Sequence, residues 1–143
     1  MRIYLDVDGV LVTNGSPAPH AEEFVRFLTK EYPVFWLSTY CQGDPGIIHG
    51  LLKQFFSPEA VEYVKKITPT NWQVYKTEAI DFSVPFLWFD DNPSEGEKRE
   101  LAERGALSSW VPVNLKENPE QLLLFTTSLL VPNQSVLPQT SRL

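Results

Sequence analysis

The sequence predicts an α/β domain in three layers, with a central, mostly parallel sheet covered by helices on both faces. Three observations predict it. The runs Ile3-Tyr4-Leu5, Val34-Phe35-Trp36-Leu37 and Phe86-Leu87-Trp88-Phe89 are short and continuously apolar, as strands buried on both faces must be. The segments between them carry apolar residues at helical spacing, so strand, helix and strand alternate. Each run also stops on polar side chains: Asp6-Val7-Asp8-Gly9, Ser38-Thr39 and Asp90-Asp91.

The elements follow in order. After the first strand, Thr13 to Pro19 is rich in turn formers and reads as a loop. Ala21, Phe24, Val25, Phe27 and Leu28 place a helix from about His20 to Tyr32, ended by Pro33. The second strand follows and completes a βαβ unit. Asp44-Pro45 is a helix-opening pair, and Ile47, Ile48, Leu51, Leu52 and Phe55 form that helix's apolar stripe. Ser57-Pro58-Glu59 opens a short third helix in the same way. Lys76 to Asp81 predicts a helical turn or two before the third strand. Ser94 and Glu97 form a capping box for a helix through Arg104, and Gly105 closes it. On that helix, Glu95 with Arg99 and Glu100 with Arg104 have i,i+4 spacing and read as a solvated face. Ser109 to Val113 is a fourth strand, placed at an edge by Pro112. Asn118-Pro119 opens a last helix through about Leu130. Residues 1–130 therefore read as one domain, and 131–143, rich in Pro, Ser, Gln and Asn, as a disordered tail.

With 143 residues, the chain is long enough to bury a substantial core. Its 43% hydrophobic and 21% charged content is that of a soluble globular protein, and no apolar run is long enough to cross a bilayer. The one cysteine, Cys41, excludes an internal disulfide; with no signal peptide in view, the expected compartment is the cytoplasm. Twelve basic against 18 acidic residues give a net charge of −6, which argues against broad attraction to nucleic acid.

The polar strand ends carry the chemistry. In an open parallel sheet the carboxyl ends of the strands share one edge, where ligands bind. Asp6 and Asp8 would meet Ser38, Asp90 and Asp91 there, and the gap from Lys76 to Asp90 fits one short helix and one strand. Carboxylates so close repel one another, and a divalent cation is the usual remedy. Each residue also has a plain structural role available: Asp, Ser and Gly are turn formers, and a lone lysine is usually solvent-facing. Cys41, His20 and His49 read as bystanders, Trp36, Trp88 and Phe89 as core. Tyr40, Trp72 and Tyr75 flank the motifs and could line a pocket or stack on a base.

Taken together and in this order, Asp6-x-Asp8-Gly9, Ser38, Lys76 and Asp90-Asp91 resemble the four motifs of the haloacid dehalogenase superfamily of phosphohydrolases. The resemblance covers residues 2 to 113. It implies a three-layer Rossmannoid fold and a Mg²⁺-dependent phosphomonoesterase working through an aspartyl-phosphate. In that reading Asp6 is the nucleophile and Asp8 the acid and base. Ser38, Thr39, Lys76 and Gly9 bind phosphate. Asp6, Asp8, Asp90 and Asp91 form the metal site, Asp8 through its carbonyl. Asp91 is taken as the direct ligand and Asp90 as lying behind it or paired to Lys76, an order that stays open. Thr39 to Tyr75 is long enough for two helices but not for a separate cap domain, so an open site and a large substrate are expected. Leu5-Asp-Val-Asp-Gly-Val-Leu11, Trp36-Leu-Ser-Thr-Tyr40, Lys76-Thr-Glu-Ala-Ile-Asp-Phe82 and Leu87-Trp-Phe-Asp-Asp91 are similar to compact domains of this superfamily associated with RNA-repair proteins, which implies a polynucleotide end as substrate. Alternatives are a phosphoprotein phosphatase of the same superfamily, a metal-dependent nuclease, a receiver-like phospho-acceptor module and a non-catalytic interaction domain. The oligomeric state is not legible in the sequence.

Overall fold

The computed structural model describes residues 1–130; the expected disordered tail, 131–143, lies outside them. Four parallel strands form the central sheet: β1 (Arg2–Leu5), β4 (Val34–Trp36), β5 (Phe86–Asp90) and β6 (Trp110–Pro112), in the order β4-β1-β5-β6. Between them run α1 (Ala21–Glu31), α2 (Gly46–Lys53), α3 (Pro58–Val64), a 3₁₀ turn at Lys76–Ala79, α4 (Glu95–Glu103) and a second 3₁₀ turn at Leu107–Ser109; α5 (Gln121–Leu130) follows β6. The fold is Rossmann-like in outline, with helices flanking a parallel sheet.

Alternation along the strands makes the three layers. Ile3 and Leu5, Val34 and Trp36, Leu87 and Phe89, and Val111 join one core with residues of α1, α2, α3 and α5. Their sequence neighbours Tyr4, Leu37, Phe86 and Trp88 join a second core with Leu101 of α4. Successive strand side chains point to opposite faces, so an unbroken apolar run is what a doubly covered sheet demands. At the centre of the larger core Phe24, Phe89 and Phe125 pack together. Phe24 meets Phe89 edge-on with ring centroids 5.2 Å apart, and Phe89 lies 5.2 Å from Phe125.

The caps explain most element boundaries. The Ser57 hydroxyl accepts from the Ala60 N–H at 3.2 Å at the start of α3. Ser94 and Glu97 form the capping box of α4, as their spacing predicts. At α2 the Asp44 carboxylate accepts from the Gly46 N–H at 2.8 Å, with Pro45 in the cap position itself. Among the described residues β6 pairs with β5 alone, so Pro112 costs the sheet no ladder bond on its other side. The opposite edge, β4, is covered by Thr68, whose carbonyl accepts from the Trp36 N–H at 2.8 Å.

Two expectations need correction. The segment after the first strand is not simply a loop. It contains a two-stranded hairpin, β2 (Val12–Thr13) and β3 (Ser16–Pro17), in which Val12 pairs with Pro17 and Thr13 with Ser16. Its turn is Asn14-Gly15, both left-handed, with φ of 53° and 73°. An Asn-Gly pair is the strongest short-range hairpin signal, because the mirror-image turn matches the strand twist. On α4, Glu95 pairs with Lys98 at 3.2 Å rather than with Arg99, whereas the Glu100–Arg104 pair forms at 2.7 Å.

Replacing Phe24 with alanine would remove one ring of the aromatic triad from a fully buried position. The expected cost is about 3–5 kcal/mol, read as a lower urea midpoint with an unchanged slope.

Candidate functional site

The sheet order creates the site. From β1 the chain moves outward to β4, then returns past β1 to build β5 and β6 on the other side. The reversal falls between β1 and β5, and a crevice opens beyond the carboxyl ends of strands at such a point. Leu5 is in register with Phe89 on one side and with Trp36 on the other. One residue further on, Asp6 lies beside Asp90; two residues beyond Trp36 comes Ser38. Parity then puts Asp6 and Asp90 on the same face as Tyr4 and Trp88, toward α4 and the 3₁₀ turn.

Lys76, first residue of that turn, meets them there. Its ammonium lies 2.8 Å from Asp90 Oδ2 and 3.4 Å from Asp6 Oδ2. All three side chains are buried. Asp6 Oδ1 also accepts from the Val7 N–H at 2.8 Å, and Asp90 Oδ1 from the Asn92 N–H at 2.8 Å. Asp91 completes the group: Asp6, Asp90 and Asp91 each offer a carboxylate oxygen, all within 4.8 Å of one another.

Gly9 makes room for Asp91. Its φ is +80°, and a β-carbon built there would fall 2.3 Å from Asp91 Oδ2. Only a residue without a side chain lets the β1 loop and the Asp91 carboxylate share this space.

The lysine is held from two directions. Glu97, buried at the start of α4, accepts from the Lys76 N–H at 2.6 Å with one oxygen and from the Ser94 N–H at 2.8 Å with the other. Ahead of the turn, the Glu78 carboxylate gathers the N–H groups of Gln73, Val74 and Tyr75 at 2.9–3.0 Å. The Tyr75 ring occupies the place a Gly96 side chain would need. The sequence showed Glu97 only as a helix cap; its reach to Lys76 is a tertiary contact with no local signature.

Ser38 is fully buried, and its Oγ accepts from the Tyr40 N–H at 3.1 Å. Thr39 is exposed beside it, in a shallow hollow shared with Tyr40, Gln42, Asp44 and Ile47. The Asp8 carboxylate is exposed and stands outside the group of three; it accepts a 2.6 Å hydrogen bond from the Tyr40 hydroxyl. Cys41 is buried with its thiol toward the Thr70 carbonyl. Beyond Gly9 and Asp91 lies a hollow of about 450 Å³, bounded by Asn14 of the hairpin turn, Trp110 and Lys116.

The electrostatics follow from burial and crowding. Burial first, then the neighbouring Asp90 carboxylate, push the Asp6 carboxyl up to about 8, against the pull of the Lys76 ammonium and the Val7 N–H. Asp91 is raised for the same two reasons. Burial disfavours the charged form of Lys76, but Asp6 and Asp90 outweigh it, and its pKa is raised. One ammonium thus faces three acids, two of them buried and Asp91 exposed, and ionising all three would leave an excess of negative charge. A hard divalent cation is chemically suited to these three oxygen donors.

No family model matches the chain, and no curated protein or solved structure matches it either.

The raised pKa of Asp6 has a measurable sign. Between its unfolded value of 3.8 and about 8, the folded protein retains a proton that the unfolded chain releases. Without added metal this contribution to stability is therefore present at low pH and declines as pH rises through that window. Asp6→Asn removes the contribution. The Tm of the variant minus that of the parent chain should increase by a few degrees between pH 5 and pH 8 in EDTA, measured by thermal melts.

Proposed function

We propose that the chain is a Mg²⁺-dependent phosphomonoesterase of the haloacid dehalogenase type, with Asp6 as nucleophile. The observation that carries this reading is the Lys76 ammonium held between Asp6 and Asp90, at 3.4 and 2.8 Å, with Ser38 and Asp91 at neighbouring strand ends. A nuclease built on carboxylates and metal alone has no need of that lysine or of a buried hydroxyl. Asp6, Asp90 and Asp91 supply the oxygens that would hold Mg²⁺. The bound ion would offset the charge that keeps a carboxylate away from a phosphate and would polarise the phosphoryl group.

The chain's own residues then have distinct tasks. Asp6 attacks phosphorus, forming a carboxylate O–P bond as the bond to the alcohol oxygen breaks. Asp8, exposed at the mouth, gives its proton to the departing oxygen. It next takes a proton from water, whose oxygen attacks phosphorus and releases the Asp6 carboxylate and inorganic phosphate. Lys76 favours the ionised form of Asp6 and orients it, and the Ser38 hydroxyl donates to a phosphoryl oxygen. Gly9 borders the hollow beside Asp91, and Thr39 lines another with Tyr40.

The centre is open. α2 and α3 pack against each other, and α3 against α1, instead of forming a separate lid domain. An open centre favours a large substrate, and a polynucleotide end is the first choice, with a phosphoprotein as the alternative. The net charge of −6 weighs against the first.

Hydrolysis of para-nitrophenyl phosphate should require Mg²⁺, and Asp6→Asn should lower the rate about a thousandfold or more. Equal rates for the two proteins would remove Asp6 as nucleophile. Screening end-phosphorylated oligonucleotides against phosphopeptides chooses between the substrate classes, and cleavage within an unphosphorylated strand would favour the nuclease. Gly9→Ala displaces the Asp91 carboxylate, so its half-saturating Mg²⁺ concentration should rise about tenfold.

A further inference from the structure

We propose that Tyr40 is a positioning residue for both Asp8 and Ser38, setting which atoms these two side chains present to a phosphate ester. The proposal rests on the phosphatase reading above and adds to it a residue that none of the four motifs contains.

Tyr40 is bonded to two strand ends at once. Its hydroxyl donates to Asp8 Oδ2 at 2.6 Å, and its backbone N–H donates to Ser38 Oγ at 3.1 Å. Each bond has a chemical consequence. A carboxyl whose Oδ2 accepts from a phenol has Oδ1 left to carry and transfer a proton. Without that bond, an exposed aspartate on a loop would sample several rotamers. A serine oxygen that already accepts from an N–H has its own O–H left to donate, which is the polarity a phosphoryl oxygen requires. Tyr40 therefore orients the proton donor through its side chain and the phosphate contact through its backbone.

The phenol is built for this role. Its ring is half-buried and packs against the main core. Holding Asp8 through a two-torsion aromatic side chain costs little conformational entropy at the moment of reaction.

Tyr40→Phe separates the two contacts, because it deletes the hydroxyl and keeps the backbone N–H on Ser38. Orientation of a proton donor matters most when the leaving alcohol is a poor one. In Tyr40→Phe, the single-turnover rate of alcohol release from an alkyl ester such as glycerol 2-phosphate should fall about tenfold, while the burst rate of para-nitrophenol release from para-nitrophenyl phosphate changes by less than about twofold. In an Asp8→Asn background, Tyr40→Phe should then have no further effect on the alkyl ester, whereas a purely structural role would still be felt. An Asp6-dependent rate of alcohol release that Tyr40→Phe leaves unchanged on the alkyl ester, or lowers equally for both esters, would overturn the Tyr40 assignment alone. Absence of Asp6-dependent turnover on either ester would bring down the phosphatase reading and the Tyr40 assignment with it.

Discussion

A buried lysine between two buried aspartates is the constraint around which the rest of the molecule is arranged. A buried charge is tolerable only when it is paired, and the Lys76 ammonium is paired with both acids. The three groups are useful to one another only within a few ångströms, so the backbone that carries them has little freedom. This demand accounts for features that otherwise look unrelated. They include the register of β1 with β5, the carboxylate of Glu97 reaching out of α4 to the Lys76 backbone, and the missing side chain at Gly96 that admits Tyr75.

The balance of charge is deliberately incomplete. Lys76 offsets about one unit of charge, and Asp91 brings a third carboxylate against the other two. A centre evolved for stability alone would have replaced one of these acids with a neutral residue, since apolar or neutral substitutes for buried charge are often stabilising. Ionising all three acids would leave an excess that a bound cation could balance. Gly9 fits the same logic: a left-handed residue without a side chain brings a loop backbone directly against Asp91. The hairpin just beyond it borders the hollow beside Asp91, and the Tyr40 phenol holds Asp8.

Much of the fold was legible because its cues are local. A doubly buried strand must be apolar at successive positions, so β1, β4 and β5 stand out, and Ser94 with Glu97 states where α4 begins. Pro112 marked an edge strand correctly. The hairpin was missed although Asn14-Gly15 signals it, because its strands are two residues long and their alternation is too brief to register. The Glu95–Arg99 spacing was compatible with a pair, but Lys98 lies equally within reach and also sits over the Trp110 ring, 5.4 Å from its centroid.

By itself the sequence determined which residues end the strands: two aspartates after β1, Ser38 after β4, and two aspartates at the end of β5. That followed from hydrophobic runs that stop abruptly on polar side chains. Only the tertiary structure decided which strands are neighbours, and hence that β1 lies between β4 and β5 with Asp6 beside Asp90. It also decided that Asp90 takes the lysine while Asp91 faces Gly9, and that Asp8 is held by Tyr40. The physical reason is the same in each case. Strand order and side-chain partnership are set by packing between segments far apart in the chain, and no local pattern encodes the distance between them.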